Sequence, residues 1–241
     1  KYMVSGSLLY EIATGHYTMV GHSTEKQAYK YDRFLFLAGN SFDLKTYVVS
    51  ALKVGDGWKY EVAYTNDINK VQFLYPPAIG EKFAIINVQR VDGTGPQEIL
   101  YASVNDWKWT KLGEGKTAYS QIHGDTAFFS YNSSVWACDL TKSPTNIETG
   151  CRKVNREGEK ATSPAVKRTD ENLVIYTAEE GYHQLYMADI TNEEIVYTKL
   201  DLEKSSDLIS FIPGQWDGDV LVLEELYQFS EVDVDYRVCY Y

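Results

Sequence analysis

Asp32, Asp56, Asp125 and Asp217 are the first residues in this chain whose type could do chemistry. Glycoside hydrolysis needs two carboxylates flanking one bond, an acid and a base or nucleophile, at a separation that sets the stereochemistry. Each of the four stands at an expected inner-strand or turn position. None lies in a recognisable glycosidase motif, and with 34 acidic residues most carboxylates must be solvated surface.

A second constellation is built on tryptophan. Asp56-Gly57-Trp58-Lys59-Tyr60 and Asp106-Trp107-Lys108-Trp109 repeat one pattern of acid, indole, lysine and aromatic ring. Asp56, Trp58, Asp106, Trp107 and Trp109 are therefore the candidate ligand-binding residues. An aromatic face meets the C–H groups of a sugar while a carboxylate takes its hydroxyls, which is lectin chemistry. The competing reading is that Trp107 and Trp109 sit in a hairpin and pack between sheets.

Other motifs carry less. GHSTE at 21–25 places Ser23 as in a nucleophile elbow, but Glu25 stands where the strained turn needs glycine. SVNDWKWT at 103–110 has parts of a sialidase Asp-box turn in the wrong order and without its glycine. Arg33, Arg90 and Arg168 could contribute to a carboxylate-binding cluster. Asp217 and Asp219 bracket Gly218 and could hold Ca²⁺, but the further ligands of a calcium loop are absent. His16, His22, His123 and His183 have no metal-ligand spacing, so neither a metal nor another cofactor is expected.

Stepping outward, the elements that must position these residues are strands. Short apolar runs such as RFLFLAG, KFAIINV, TAFFSY and NLVIYTA alternate with Gly, Asn, Asp and Pro clusters. Tyr is abundant, with 20 copies, and aromatic residues suit a pleated, half-buried surface. One short helical candidate covers about 24–30. Tyr10, Tyr47, Tyr101, Trp136, Tyr186 and Tyr236 recur at equivalent points, 35 to 54 residues apart. A period near 45 whose variation falls in turns marks a supersecondary unit repeated around an axis. Four-strand units are read at 28–65, 68–116, 117–156 and 161–202. In the second, the strands are VQFLYPP, KFAIINVQ, EILYASV and KWTKLG. Residues 1–23 supply two or three strands and 207–241 three.

These readings predict an all-β protein, a single β-propeller domain over 1–241 made of four-stranded antiparallel blades. Five blades are favoured, with six also open. Pairing of N- and C-terminal strands would close the ring and remove an open sheet edge.

Residues 161–190 resemble the TolB-like, WD40-like propeller repeat. They carry Ser163-Pro164 in a first strand, a polar turn at 169–172, the apolar run Leu173-Val174-Ile175-Tyr176, then Leu185-Tyr186 with Asp189 three positions on. VWACDLTK at 135–142 repeats the last part. The usual Pro-Asp-Gly turn is replaced by Thr169-Asp170-Glu171. The resemblance implies the propeller fold and says little of activity, because that fold hosts many functions.

Cys138 and Cys151 flank a Ser-Pro-Thr-Asn turn, and a hairpin there would bring the thiols together as a disulfide, which suits an oxidising compartment. Cys239 is left over in a C-terminal strand. Asn132-Ser133-Ser134 is a glycosylation sequon, expected on a surface turn. The formal charge of −11 repels a phosphate backbone and an anionic membrane, so nucleic acid is not an expected partner. No apolar run is long enough to span a bilayer. The reading reached is a secreted or extracytoplasmic, non-catalytic recognition module that binds a protein partner through propeller rim loops. A carbohydrate-binding propeller, or a glycoside hydrolase of sialidase-like type, is the alternative; the sequence does not fix the oligomeric state.

Overall fold

The computed structural model describes residues 2–5, 8–11, 17–19, 27–30, 32–40, 45–67, 70–75, 77–90, 92–167, 170–178, 184–202, 208–217, 220–228 and 234–240. Among them the strands sort into six antiparallel sheets. The chain divides into two compact units, Lys1–Gly115 and Lys116–Tyr241.

The first unit holds three sheets. β1 (Tyr2–Ser5), β2 (Leu8–Glu11) and β3 (Tyr17–Met19) form a meander. β4 (Gln27–Lys30), β5 (Arg33–Asn40), β6 (Lys45–Val54) and β7 (Gly57–Asp67) form the next. The helical reading of 24–30 is thus corrected over Gln27–Lys30. Gln27, Ala28 and Tyr29 pair with Phe36, Leu35 and Phe34 of β5, and ladder bonds outweigh weak local helix preference.

The third sheet contains β8 (Val71–Phe73), β9 (Ala78–Ile79), β10 (Phe83–Arg90), β11 (Gln97–Ser103) and β12 (Thr110–Gly115). The inner strand expected over VQFLYPP ends early, at Phe73, and a separate short strand, β9, follows it; both pair with β10, and Pro77 between them has no N–H to give a ladder. The outer strand is Thr110–Gly115, so Lys108 and Trp109 lie before it rather than within it.

In the second unit, β13 (Thr117–His123), β14 (Thr126–Tyr131), β15 (Ser134–Asp139) and β16 (Arg152–Lys153) form one meander. β17 (Ala161–Lys167), β18 (Asp170–Ala178), β19 (Gln184–Asp189) and β20 (Val196–Lys199) form another. β21 (Leu208–Asp217), β22 (Val220–Gln228) and β23 (Val234–Tyr240) form a third. The first and last strands of the chain therefore belong to separate three-stranded sheets rather than to one shared sheet.

Burial falls from the inner to the outer strands. β10 and β14 are buried on both faces through Ala84–Val88 and Ala127–Ser130, whereas β20 is largely exposed. A strand sandwiched between layers reads as a continuous apolar run rather than an alternating one. In the first unit, Leu35, Val48 and Ala63 pack with Ile79, Ala84, Ile86, Val88, Leu100 and Val104, joining two consecutive sheets face to face. In the second, Phe128, Val135 and Ala137 pack with Val166, Val174, Tyr176 and Ala188. Ile175 and Leu185 in turn meet Leu221 and Leu223 of the next sheet.

Pro164 sits inside β17 because a bulge accommodates it. The β17–β18 register shifts between Thr162 and Ala165, and Ser163 adopts a positive φ of 54°. The extra residue relieves Pro164 of a ladder bond it cannot make. The Ser163 N–H turns away to the Ser130 hydroxyl, 3.0 Å off, and so ties two sheets together.

Candidate functional site

Of the tryptophan constellation, Trp107 and Trp109 are brought together, but as packing. The turn after β11 is shaped by side chains: the Asn105 N–H donates to Ser103 Oγ and the Lys108 N–H to Asp106 Oδ1. Trp107 takes a φ of 52°, a left-handed conformation rare for a bulky residue. Its ring stacks on Trp109, centroids 6.2 Å apart, and the Arg33 guanidinium lies 5.4 Å over it. Both indoles pack against the core shared by the sheets of β4–β7 and β8–β12. Trp109 Nε1 donates to the Ala63 carbonyl at 2.6 Å, and its ring meets Tyr64 edge-on. The buried Trp107 Nε1 has no partner among the described residues.

Trp58 is half-buried in β7, opposite Lys53. Asp56 and Asp106 are exposed in turns, and Asp106 faces Lys108 Nζ at 3.8 Å.

The other candidates are dispersed. Asp32 occupies the β4–β5 turn with a φ of 55°. The β4–β5 and β6–β7 turns lie at the same end of their sheet, so Asp32 and Asp56 share that end. Asp125 is in the β13–β14 turn. Asp217 ends β21, and its side chain, like that of Cys239, lies outside the described residues, as do Asp219, Arg168, Ser23, His16, His22 and His183. Arg33 donates to Ser50 Oγ and Glu61 Oε1, and Arg90 faces Asp92 at 3.6 Å. His123 meets the Phe128 ring edge-on. Among the described residues no three His, Cys, Asp or Glu cluster as a metal site, and no helix is long and apolar enough to cross a membrane.

Cys138 and Cys151 are disulfide-bonded, with Cα atoms 4.4 Å apart. The connection is not a tight hairpin. A 3₁₀ turn at Leu140–Lys142 and a helical turn at Ile147–Gly150 intervene before β16 pairs back onto β15. Asn146 caps the helical turn by accepting from the Thr149 N–H. Asn132 lies in the exposed β14–β15 turn, where its Oδ1 accepts from the Lys116 N–H.

A cleft of about 320 Å³, missed in the sequence, opens in the second unit between Arg156, Glu157, Gly158, Glu159, Ala178 and Tyr186. Its lining comes from strand residues, Ala178 of β18 and Tyr186 of β19, and from the turn at 156–159. Tyr176 and Tyr186 pair across β18 and β19 and stack, centroids 6.0 Å apart. The Arg156 guanidinium carbon lies over the Tyr186 ring, 4.0 Å from its centroid, and 5.2 Å from that of Tyr197.

Asn155 holds the turn. Its Oδ1 accepts from the Val135 N–H, and its Nδ2 donates to the carbonyls of Arg156 and Glu159. Gly158 takes a φ of 74°, which an L side chain rarely adopts. Tyr176 is fully buried and donates its hydroxyl to Glu159 Oε2 at 2.8 Å. Burial pushes the Tyr176 phenol far above its ordinary value, and the Glu159 carboxylate adds to the shift. Tyr197 moves the same way, mainly through burial. The available signal was Asn155-Arg156-Glu157-Gly158-Glu159, a polar turn downstream of the second cysteine.

No protein-family model matches the chain, and no curated protein is similar to it at the level of sequence. Solved structures are. A prolyl endopeptidase is matched with a TM-score of 0.62 at 10% identity over 90% of this chain and 36% of that one. This chain thus spans about a third of that enzyme. The β-propeller domain of the Trilobed protease from Pyrococcus furiosus, described as having an open velcro topology, matches with a TM-score of 0.56 at 11% identity, over 90% of this chain and 67% of that one. The β-propeller domain of Myceliophteria thermophila Cps50 (Swd1) matches with a TM-score of 0.52 at 10% identity, over 96% and 76%. At these identities the likeness shows the fold and no more: successive antiparallel sheets stacked face to face are those of a β-propeller.

Proposed function

We propose that the chain is a non-catalytic recognition module, a single propeller domain over 1–241, that meets a protein partner through its outer strands and rim loops. One observation carries the reading. β7 is the outermost strand of its sheet, pairing only with β6 among the described residues, and it exposes Tyr60 and Val62, 49% and 58% accessible. Two large apolar side chains on one face of an outer strand are the kind of surface a partner protein covers. Two of the three indoles that motivated sugar stacking, Trp107 and Trp109, are instead engaged in packing, which weakens the lectin alternative.

Six blades fit the arrangement better than the favoured five. Tyr47, Tyr101, Trp136 and Tyr186 fall on β6, β11, β15 and β19, each next to the outermost strand. Tyr10 on β2 and Tyr236 on β23 support reading the two terminal sheets as two separate blades. The disulfide and the exposed Asn132 sequon support a secreted or periplasmic site of action. The TolB-like character of 161–190 belongs to the same reading.

A glycan array, with each well assayed for released sugar, tests it. This reading expects neither binding nor release. Binding without release establishes a lectin, and release establishes a glycoside hydrolase. A partner recovered by proximity labelling should bind the purified chain and lose that binding in Y60K and V62K.

A further inference from the structure

Arg152 and Arg156 stand four residues apart and do different things. Arg152 reaches across to the next sheet and donates to the carbonyls of Ile190, Asn192 and Glu193. Its donors are satisfied by the protein, and its role is to staple a loop. Arg156 has no acceptor for its guanidinium among the described residues. It is nonetheless held in place. Tyr186 and Tyr197 support its face, the Asn155 side chain fixes its backbone, and the Tyr197 hydroxyl donates to the Val154 carbonyl. A guanidinium is held over an aromatic ring by cation–π attraction, and its N–H donors lie in its own plane. Arg156 therefore lines the cleft as a guanidinium fork held over two aromatic rings, with no acceptor among the described residues.

The acceptor that matches such a fork is a planar oxyanion, bound through two parallel hydrogen bonds. The neighbours narrow the class. Glu157 and Glu159 line the same cleft, and the whole chain carries a net charge of −11, which disfavours a dianionic phosphate. Glu159 accepts from Tyr176 on Oε2, which leaves Oε1 for a donor on the ligand. A single carboxylate with an N–H group beside it satisfies both sides. The volume, about 320 Å³, holds a residue-sized group rather than a long chain.

We propose that the Arg156 cleft binds a peptide carboxylate, with Arg156 taking the carboxylate and Glu159 an adjacent amide N–H. This deepens the recognition reading and rests on it for the ligand's being part of a protein. The carboxylate comes either from a chain terminus or from an acidic side chain.

The test is an NMR titration of the intact chain, following the Arg156 side-chain Nε–H and the Gly158 and Ala178 amides. Three probes are compared: N-acetylalanine, with a terminal carboxylate; N-acetylglutamate α-amide, with a side-chain carboxylate; and N-acetylalanine amide, with none. Saturable shifts at these positions with either carboxylate, and none with the neutral amide, are expected. The stronger of the two names the source. R156K should weaken binding at least tenfold and R156Q abolish it, with amides outside the cleft unmoved. The proposal is overturned if all three probes act alike, if none shifts these signals, or if R156K and R156Q bind as the wild type does. Because the comparison among probes needs only the wild-type chain, a variant that fails to fold does not decide the matter. A carboxylate response in a chain that recruits no protein would retain the cleft and remove the protein-partner reading; a protein partner without that response would do the reverse.

Discussion

The indole N–H of Trp109 donates to the main-chain carbonyl of Ala63, 46 positions earlier, at 2.6 Å. That bond joins the turn before β12 to the middle of β7, so one residue fastens two sheets together. W109A removes the bond and opens a cavity beside Tyr64 and Trp107, which should lower unfolding stability by about 3–5 kcal/mol. W109F keeps most of the ring and leaves the Ala63 carbonyl unmatched, a loss of about 1–3 kcal/mol. Urea unfolding followed by tryptophan fluorescence separates the two.

The Cys138–Cys151 bridge closes a loop with a sequence separation of 13 that contains both helical turns. Constraining the unfolded chain by a loop of this size is worth about 3 kcal/mol. The C138A/C151A double variant should therefore unfold at lower denaturant than the oxidised wild type. Added reductant should lower the midpoint of the wild type and leave that of the variant unchanged.

Asn155 is 3% exposed and serves three backbone groups at once. N155A strands the Val135 N–H and frees the turn that carries Arg156. A loss of about 2–4 kcal/mol is expected, from one buried orphan donor and the lost turn bonds. Hydrogen exchange should show the Val135 amide and the 156–159 turn losing protection first.

Tyr176 couples stability to alkaline pH. Its folded phenol is raised by burial and by Glu159, whereas in the unfolded chain it titrates near 10. The sign follows directly. Below about pH 10 both states keep the proton and the contribution is whole. As pH climbs from there toward the folded value, only the unfolded chain releases its proton, and stability falls. Y176F should flatten this alkaline loss while lowering neutral-pH stability by about 1.5–3 kcal/mol, the worth of a hydrogen bond to a carboxylate. Denaturant midpoints from neutral to strongly alkaline pH, wild type against Y176F, give both numbers.

The sheets were legible because their signals are local. Apolar runs separated by turn residues mark the strands, and the aromatic markers at Tyr47, Tyr101, Trp136 and Tyr186 mark equivalent strands of successive sheets. Where local signals conflict, sequence reading slips: the strand expected over 71–77 stops at Phe73 ahead of Pro77, and tertiary pairing makes Gln27–Lys30 a strand. The Asp and Trp pattern was visible, but its engagement was not. Whether an indole faces solvent or a neighbouring sheet depends on residues such as Ala63 that are distant in sequence. The Arg156 cleft was hidden for the same reason. Nothing in Arg152 and Arg156 as letters says that one is satisfied by carbonyls and the other lies over Tyr186.

In five of the six sheets among the described residues each strand pairs with its neighbours in the chain, so a connecting loop can lengthen without changing which strands pair. The loops are in effect silent positions of the architecture, and the uneven spacing of the aromatic markers records that freedom. Lengthening a loop costs little, about 0.6 kcal/mol per doubling. The exposed connection at 191–194 between β19 and β20 is then a socket: a foreign peptide spliced there would be displayed with the β19–β20 pairing kept, at the cost of the Arg152 bonds to the Asn192 and Glu193 carbonyls. The same property lets a lineage change its surface loops while leaving the order of its strands untouched.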